Sequence, residues 1–209
     1  MQQRTDSEQR LRLEANDVRV TLKYMQELAR EERASLGVGD HEALDPYALC
    51  EEHGVSVYTV ESLRSFGASS EAILHFTSLS TTTWSAALVP VGSARIIIEN
   101  ETHAPVRRRS SIAHELGHLL LEHEFNGALL GEDHKRQFDP AKEKQATYLS
   151  GELLIPEVAA RRAAYNGWDN QRVAQAFNVS TQFAQMQMKG PRVMAARAAK
   201  KYATARVIG

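Results

Sequence analysis

His114, Glu115 and His118 stand in the order His-Glu-Leu-Gly-His, and these residue types at this spacing can bind a metal ion and activate water. On a helix, residues four apart share a face one turn apart, so both imidazoles can close on one ion. Zinc takes histidine nitrogen at roughly 2.0–2.1 Å, and its catalytic sites combine three protein ligands with an open position. An ion held this way brings the pKa of a bound water toward about 7. Glu115, next to the first ligand, flanks the same face and can take the water's proton and deliver it to a leaving amine. The chemistry so encoded is zinc-dependent peptide hydrolysis. A surface helix with two unrelated histidines is the bland alternative, and a third ligand decides against it.

The extended pattern H-E-x-x-H-x-x-G-x-x-H is absent, because Leu121 and Glu124 occupy its last two key positions. Glu122 lies a further turn along a straight helix, where three ligands cannot converge. The third ligand is therefore expected from a second helix. Residues 141–154 supply one, with Ala146, Leu149, Leu153 and Leu154 defining its buried face. Glu143 lies beside that face, whereas Glu152 is about 180° away and is expected in solvent. Geometry favours Glu143, with Glu122, Asp139 and His134 next in line. The donor that stabilises a tetrahedral oxyanion stays unassigned among His75, His103, Arg107, Arg108, Arg109, His123 and Tyr148.

The elements that must position these residues are legible in outline. The histidine helix is expected over 110–124, capped by Ser110 or Ser111 and anchored through Ile112, Leu116, Leu119 and Leu120. Gly117 is poor helix chemistry and would let another segment approach closely. Residues 8–35 read as a charged helix ended by Gly37 and Gly39, and Asp45-Pro46 opens a short helix to Glu52. Residues 55–60 alternate and are β-branched, and 72–76, 84–89 and 95–98 are further strand candidates between turn-forming residues. Ile96, Ile97 and Ile98 in a row suggest a strand with little solvent on either face. Helices follow at 141–154, 157–166, 170–177, 181–189 and 191–203, with Pro140, Pro156 and Pro191 at starts and Gly167 and Gly190 at breaks. The order helix, sheet, helices makes an α+β protein with a small, mainly antiparallel sheet. Its expected parts are a zinc-peptidase core with the N-terminal helices, residues 1–156, and a basic helical region, residues 157–209.

At 209 residues the chain can bury a core without staples. Its net charge of −1 argues against wholesale electrostatic binding of nucleic acid. The charge is uneven: from Glu157 onward it is +7, leaving −8 for the rest. A solvated helical face accounts for that, as would an acidic or nucleic-acid partner. Residues 170–189 read superficially as a helix-turn-helix with its turn at Phe177–Ser180, a pattern suited to packing, substrate docking or DNA readout. Cys50 is the only cysteine, which excludes an intrachain disulfide and reads as a small core residue. The first residues lack an apolar signal region and no run approaches a membrane span, so a cytoplasmic protein without membrane contact is expected.

The runs RRRSSIAHELGHLLLEH and EKQATYLSGELLIP together resemble the ImmA/IrrE family of metallo-endopeptidases. That family follows its histidine helix with E-x-[EQ]-A-x-x-[aromatic or Leu]-x-x-x-L-L-x-P, and Glu143, Gln145, Ala146, Leu149, Leu153, Leu154 and Pro156 fill those places. The likeness covers roughly residues 26–180. It implies a zincin-like fold with a small sheet packed on the active-site helix. It also implies zinc held by His114, His118 and Glu143, with Glu115 as general base. The substrate it implies is a helix-turn-helix transcriptional repressor, whose cleavage relieves repression of a stress response or mobile element. The contrasting reading is a DNA- or partner-binding regulator whose metal is structural or vestigial.

Overall fold

The computed structural model describes residues 20–79, 84–123 and 139–208. Helix α1, Leu22–Ser35, starts where Thr21 accepts the Tyr24 N–H at 3.1 Å. Residues 8–19 of the expected helix lie outside the described residues. It ends before Gly37, whose φ of +69° turns the chain at no steric cost. Helix α2, Pro46–Glu52, has proline in its first turn and Asp45 as its cap, as read.

Among the described residues three strands form the sheet: β1, Ser56–Thr59, β2, Ala86–Val91, and β3, Ala94–Glu99, in the order β1-β3-β2. β2 and β3 are antiparallel from Ala86↔Glu99 to Val91↔Ala94, joined by a two-residue turn with Gly92 at φ +60°. β1 runs parallel to β3 from Ser56↔Ile96 to Thr59↔Glu99. The sheet is thus mixed, with the antiparallel ladder the longer. Within β3, Ile97 is fully buried and its neighbours Ile96 and Ile98 are half-buried.

Residues 72–76 are not a strand. They belong to helix α3, Ser70–Leu74, which passes into a π-helical turn at His75–Leu79. Ser69 caps this helix by accepting the Ala72 N–H, and Thr77 Oγ1 donates back to the Ile73 carbonyl. A short apolar run fits strand and helix equally, and the cap decides.

Helix α4, Pro105–Leu120, begins five residues before the expected start, because Pro105 sits at its first turn. Ser110 and Ser111 do not cap it; their hydroxyls donate to the carbonyls of Val106 and Arg107 inside the helix. Helix α5, Pro140–Leu154, is capped by Asp139, whose carboxylate accepts from Ala141 and Lys142. Then come α6, Glu157–Tyr165, α7, Asn170–Phe177, and α8, Thr181–Ile208. α8 runs unbroken through the expected break at Gly190 and the expected new start at Pro191. Gly190 presents no Cβ to the proline ring, and Arg192 braces the helix to Asn170 Oδ1 and the Trp168 carbonyl.

One hydrophobic cluster joins most of these elements: Met25 from α1, Leu49 from α2, Ile97 from β3, Ile112 and Leu116 from α4, and Leu149 and Leu153 from α5. Val173, Phe177 and Met188 from the C-terminal helices complete it. Side chains buried this fully contribute about 1.5–3 kcal/mol each. No helix among the described residues is long and apolar enough to cross a membrane.

Candidate metal centre

Helices α4 and α5 meet at Gly117. A Cβ there would stand 2.8 Å from the Ala146 carbonyl oxygen, so only glycine lets the backbones come this close. The contact sets the residues just beyond it, His118 on α4 and Gln145 on α5, at the same level. Ile112, Ala113 and Leu116 are fully buried and hold α4 on the core, while Leu119 and Leu120 are only half-buried.

At that junction three side chains converge. His114 Nε2 lies 3.1 Å from Glu143 Oε2, His118 Nε2 lies 3.2 Å from His114 Nε2, and His118 Nε2 lies 3.4 Å from Glu143 Oε1. Two imidazole nitrogens and a carboxylate oxygen at these separations could hold a metal ion. Tetrahedral bonds of roughly 2.0–2.1 Å set neighbouring donor atoms about 3.3 Å apart, so the donor set and its spacing both fit. His118 is 2% exposed, whereas His114 and Glu143 each keep about a quarter of their side chains open, which leaves access from one side.

Among the described residues, the alternatives for the third ligand fall elsewhere. Glu122 leaves the helix with φ +50°, Asp139 is committed to capping α5, and His134 lies outside the described residues. Glu152 is buried, contrary to the expectation of solvent. Its carboxylate accepts the Glu157 N–H at 3.0 Å and lies beside Tyr148 and Gln26. Burial, followed by the charge of Glu157, pushes its pKa up. It packs under α1 and α6, on the far side of α5 from the histidines.

Glu115 is 5% exposed, and its Oε2 accepts the Leu88 backbone N–H at 2.8 Å. Leu88 lies on β2, an edge strand, and this N–H points away from β3 toward α4. A cavity of about 340 Å³ opens beside the site, lined by Ser85, Ala86, Arg107, Ser111, His114 and Glu115 among others. Arg107 stands two turns before His114 on the same helical face and donates to Ser85 Oγ at 3.0 Å. Four of the other oxyanion candidates are engaged elsewhere. Arg108 pairs with buried Glu99, Arg109 binds Leu44, Asp45 and Asn178, His103 meets the Trp84 carbonyl, and Tyr148 accepts from Gln26. Cys50 is buried and its thiol is pushed up to about 12 by that burial, which removes it as a nucleophile.

Behind the metal ligands lies a pair of contacts that the sequence did not single out. His118 Nδ1 is 3.0 Å from His123 Nδ1, and His123 Nε2 is 2.9 Å from Gln145 Oε1. The chain turns back to make them. Glu122 takes the left-handed conformation, the Glu122 N–H donates to Leu119 O, and the His123 N–H donates to His118 O. That is a Schellman cap, in which the residues at His118 and His123 ordinarily share a hydrophobic contact. Here they share a ring contact with centroids 5.1 Å apart. Burial holds the His123 pKa below its usual value, against the hydrogen bond to Gln145, which raises it. A left-handed glycine would have flagged such a cap in the sequence; a glutamate does not.

The stretch resembling a helix-turn-helix is α7, a turn with Asn178 at φ +51°, and α8. Val173, Phe177, Val179, Ala184 and Met188 face the common core, Gln182 and Gln185 face solvent, and Arg172 stacks 4.3 Å over Trp168.

The family model for the IrrE N-terminal-like domain, a peptidase family, matches residues 50–189, or 140 of the chain's 209. The match takes in both metal-ligand helices, the sheet and the α7–α8 turn. No curated protein and no solved structure matches the chain.

Proposed function

The chain belongs to the IrrE-like peptidase family M78, and on that premise we propose that it is a zinc-dependent endopeptidase acting on a cytoplasmic protein. The observation that carries the reading is the meeting of His114, His118 and Glu143 at mutual distances of 3.1–3.4 Å, with Glu115 one residue from the first ligand. Zinc, when bound there, would supply a Lewis acid that polarises the scissile carbonyl and acidifies water. Glu115 would accept a proton from the attacking water on its carboxylate and return it to the departing amine nitrogen. Water's oxygen joins the carbonyl carbon as the C–N bond breaks. The Leu88 N–H donating to Glu115 Oε2 fixes the rotation of that carboxylate. Arg107, the cation of the adjoining cavity, would hold substrate backbone or an acidic side chain. The likeness to ImmA/IrrE proteases supports a helix-turn-helix repressor as the substrate, its cleavage relieving repression.

The test compares cells expressing the wild-type protein with cells expressing Glu115→Gln, by mass spectrometry of new protein termini. A cut at one bond of a DNA-binding repressor, present with wild type and missing with the variant, is expected. Identical terminal peptides in the two strains would reject endopeptidase function.

A further inference from the structure

We propose that Gln145 and His123 form a relay that fixes the tautomer and ring plane of His118, keeping its Nε2 lone pair turned to the metal. The inference deepens the zinc reading and rests on it. Its basis is the contact chain Gln145 Oε1 to His123 Nε2 at 2.9 Å and His123 Nδ1 to His118 Nδ1 at 3.0 Å.

Each contact constrains the next. An amide oxygen only accepts, so His123 Nε2 carries the proton facing it. A neutral imidazole protonated at Nε2 has its lone pair at Nδ1. That lone pair accepts the His118 Nδ1–H, and His118 Nε2 is then left unprotonated toward His114 and Glu143. Reversing the amide of Gln145 would reverse every donor along the chain and place a proton on His118 Nε2, where it blocks ligation. The orientation of one amide thereby selects between a metal-binding and a non-binding His118.

The fold is built to hold this chain of contacts. The Gly117–Ala146 approach fixes the level of α4 against α5 next to both ends of the relay. The Schellman cap brings His123 back over His118. His118 is 2% exposed, so no water competes freely for its Nδ1. Partners of this type, hydrogen-bonded to the far nitrogen of a metal-ligating histidine, change metal affinity about 10–100-fold when removed.

Zinc affinity, measured by competition with a chromophoric chelator, tests the relay without reference to catalysis. Gln145→Leu and His123→Phe should each weaken zinc binding about 10–100-fold. Gln145→Glu, whose carboxylate also only accepts, should retain wild-type affinity. Thermal melts of the metal-free variants identify any that fail to fold, and the Leu and Glu variants at position 145 decide the matter should His123→Phe be lost. In the zinc-loaded wild type, NMR should show one slowly exchanging imidazole proton correlated with Nδ1 of both His118 and His123. Wild-type zinc affinity in Gln145→Leu, or the absence of that shared proton in zinc-loaded protein, overturns the relay and leaves the peptidase reading intact. A wild-type chain that takes up no zinc overturns both.

Discussion

Glu115 on helix α4 is tied to Leu88 on the edge strand β2 by a 2.8 Å hydrogen bond from the strand's backbone N–H to the carboxylate. The sheet therefore does more than cover the helix: it sets the angle of the side chain proposed to move the proton. Replacing Glu115 separates that support from chemistry. Glu115→Gln keeps an acceptor for the Leu88 N–H and should match wild type in stability and zinc content while losing hydrolysis. Glu115→Ala leaves the N–H buried and unpaired, and should cost about 1–3 kcal/mol of stability in addition. Urea denaturation of both variants checks the difference; equal stability would mean the bond supports nothing.

Gly117 is the point at which the two ligand helices touch. Gly117→Ala drives a Cβ to 2.8 Å from the Ala146 carbonyl oxygen, a backbone atom that cannot swing aside. The substitution should cost about 1–3 kcal/mol and also weaken zinc binding, since separating α4 from α5 separates the histidines from Glu143. An alanine variant with unaltered melting temperature and zinc affinity would show that the helices can part without consequence.

Glu122 occupies a left-handed backbone position that costs an ordinary residue about 1–2 kcal/mol. Glycine relieves the strain but gives the unfolded chain more freedom, so Glu122→Gly should stabilise by less than about 1 kcal/mol. Glu122→Val should destabilise. Denaturant midpoints check both signs, and a destabilised glycine variant would point to a role for the Glu122 side chain.

Glu152 gives a pH dependence of known sign. Its pKa in the folded state is raised above the ordinary value of 4.5, chiefly by burial. Above 4.5 the unfolded chain has released a proton that the folded chain still holds, so this group makes stability fall as pH rises. Glu152→Gln keeps the acceptor for the Glu157 N–H and removes the slope. The variant should be more stable than wild type at neutral pH, with the advantage vanishing in acid. Melting temperatures across pH that run parallel for the two proteins would contradict this.

What the sequence disclosed and concealed follows from the range of the forces involved. Helical spacing placed His114 and His118 on one face, because that is a property local to one helix, whereas Glu143 was favoured on its own helix and became a ligand through the family resemblance. Glu152 was misplaced because its burial is created by Gln26 on α1 and Glu157 on α6, which no periodicity within 141–154 reports. Residues 72–76 looked like a strand because five apolar-rich positions carry no distinguishing period, and Ser69, one residue outside α3, settles the matter. Pro191 looked like a boundary because proline usually is one; here Gly190 and the Arg192 braces carry α8 past it. His123 was legible only as one of several histidines, since the cap that returns it to His118 is built on a left-handed glutamate.

Metal analysis of the purified wild type beside Glu143→Ala tests the two-helix zinc site most directly. Roughly one zinc ion per chain in the wild type, and little or none in Glu143→Ala, is the expected pair of results. Zinc that is undiminished in Glu143→Ala would contradict a centre closed by α5 and move the third ligand elsewhere.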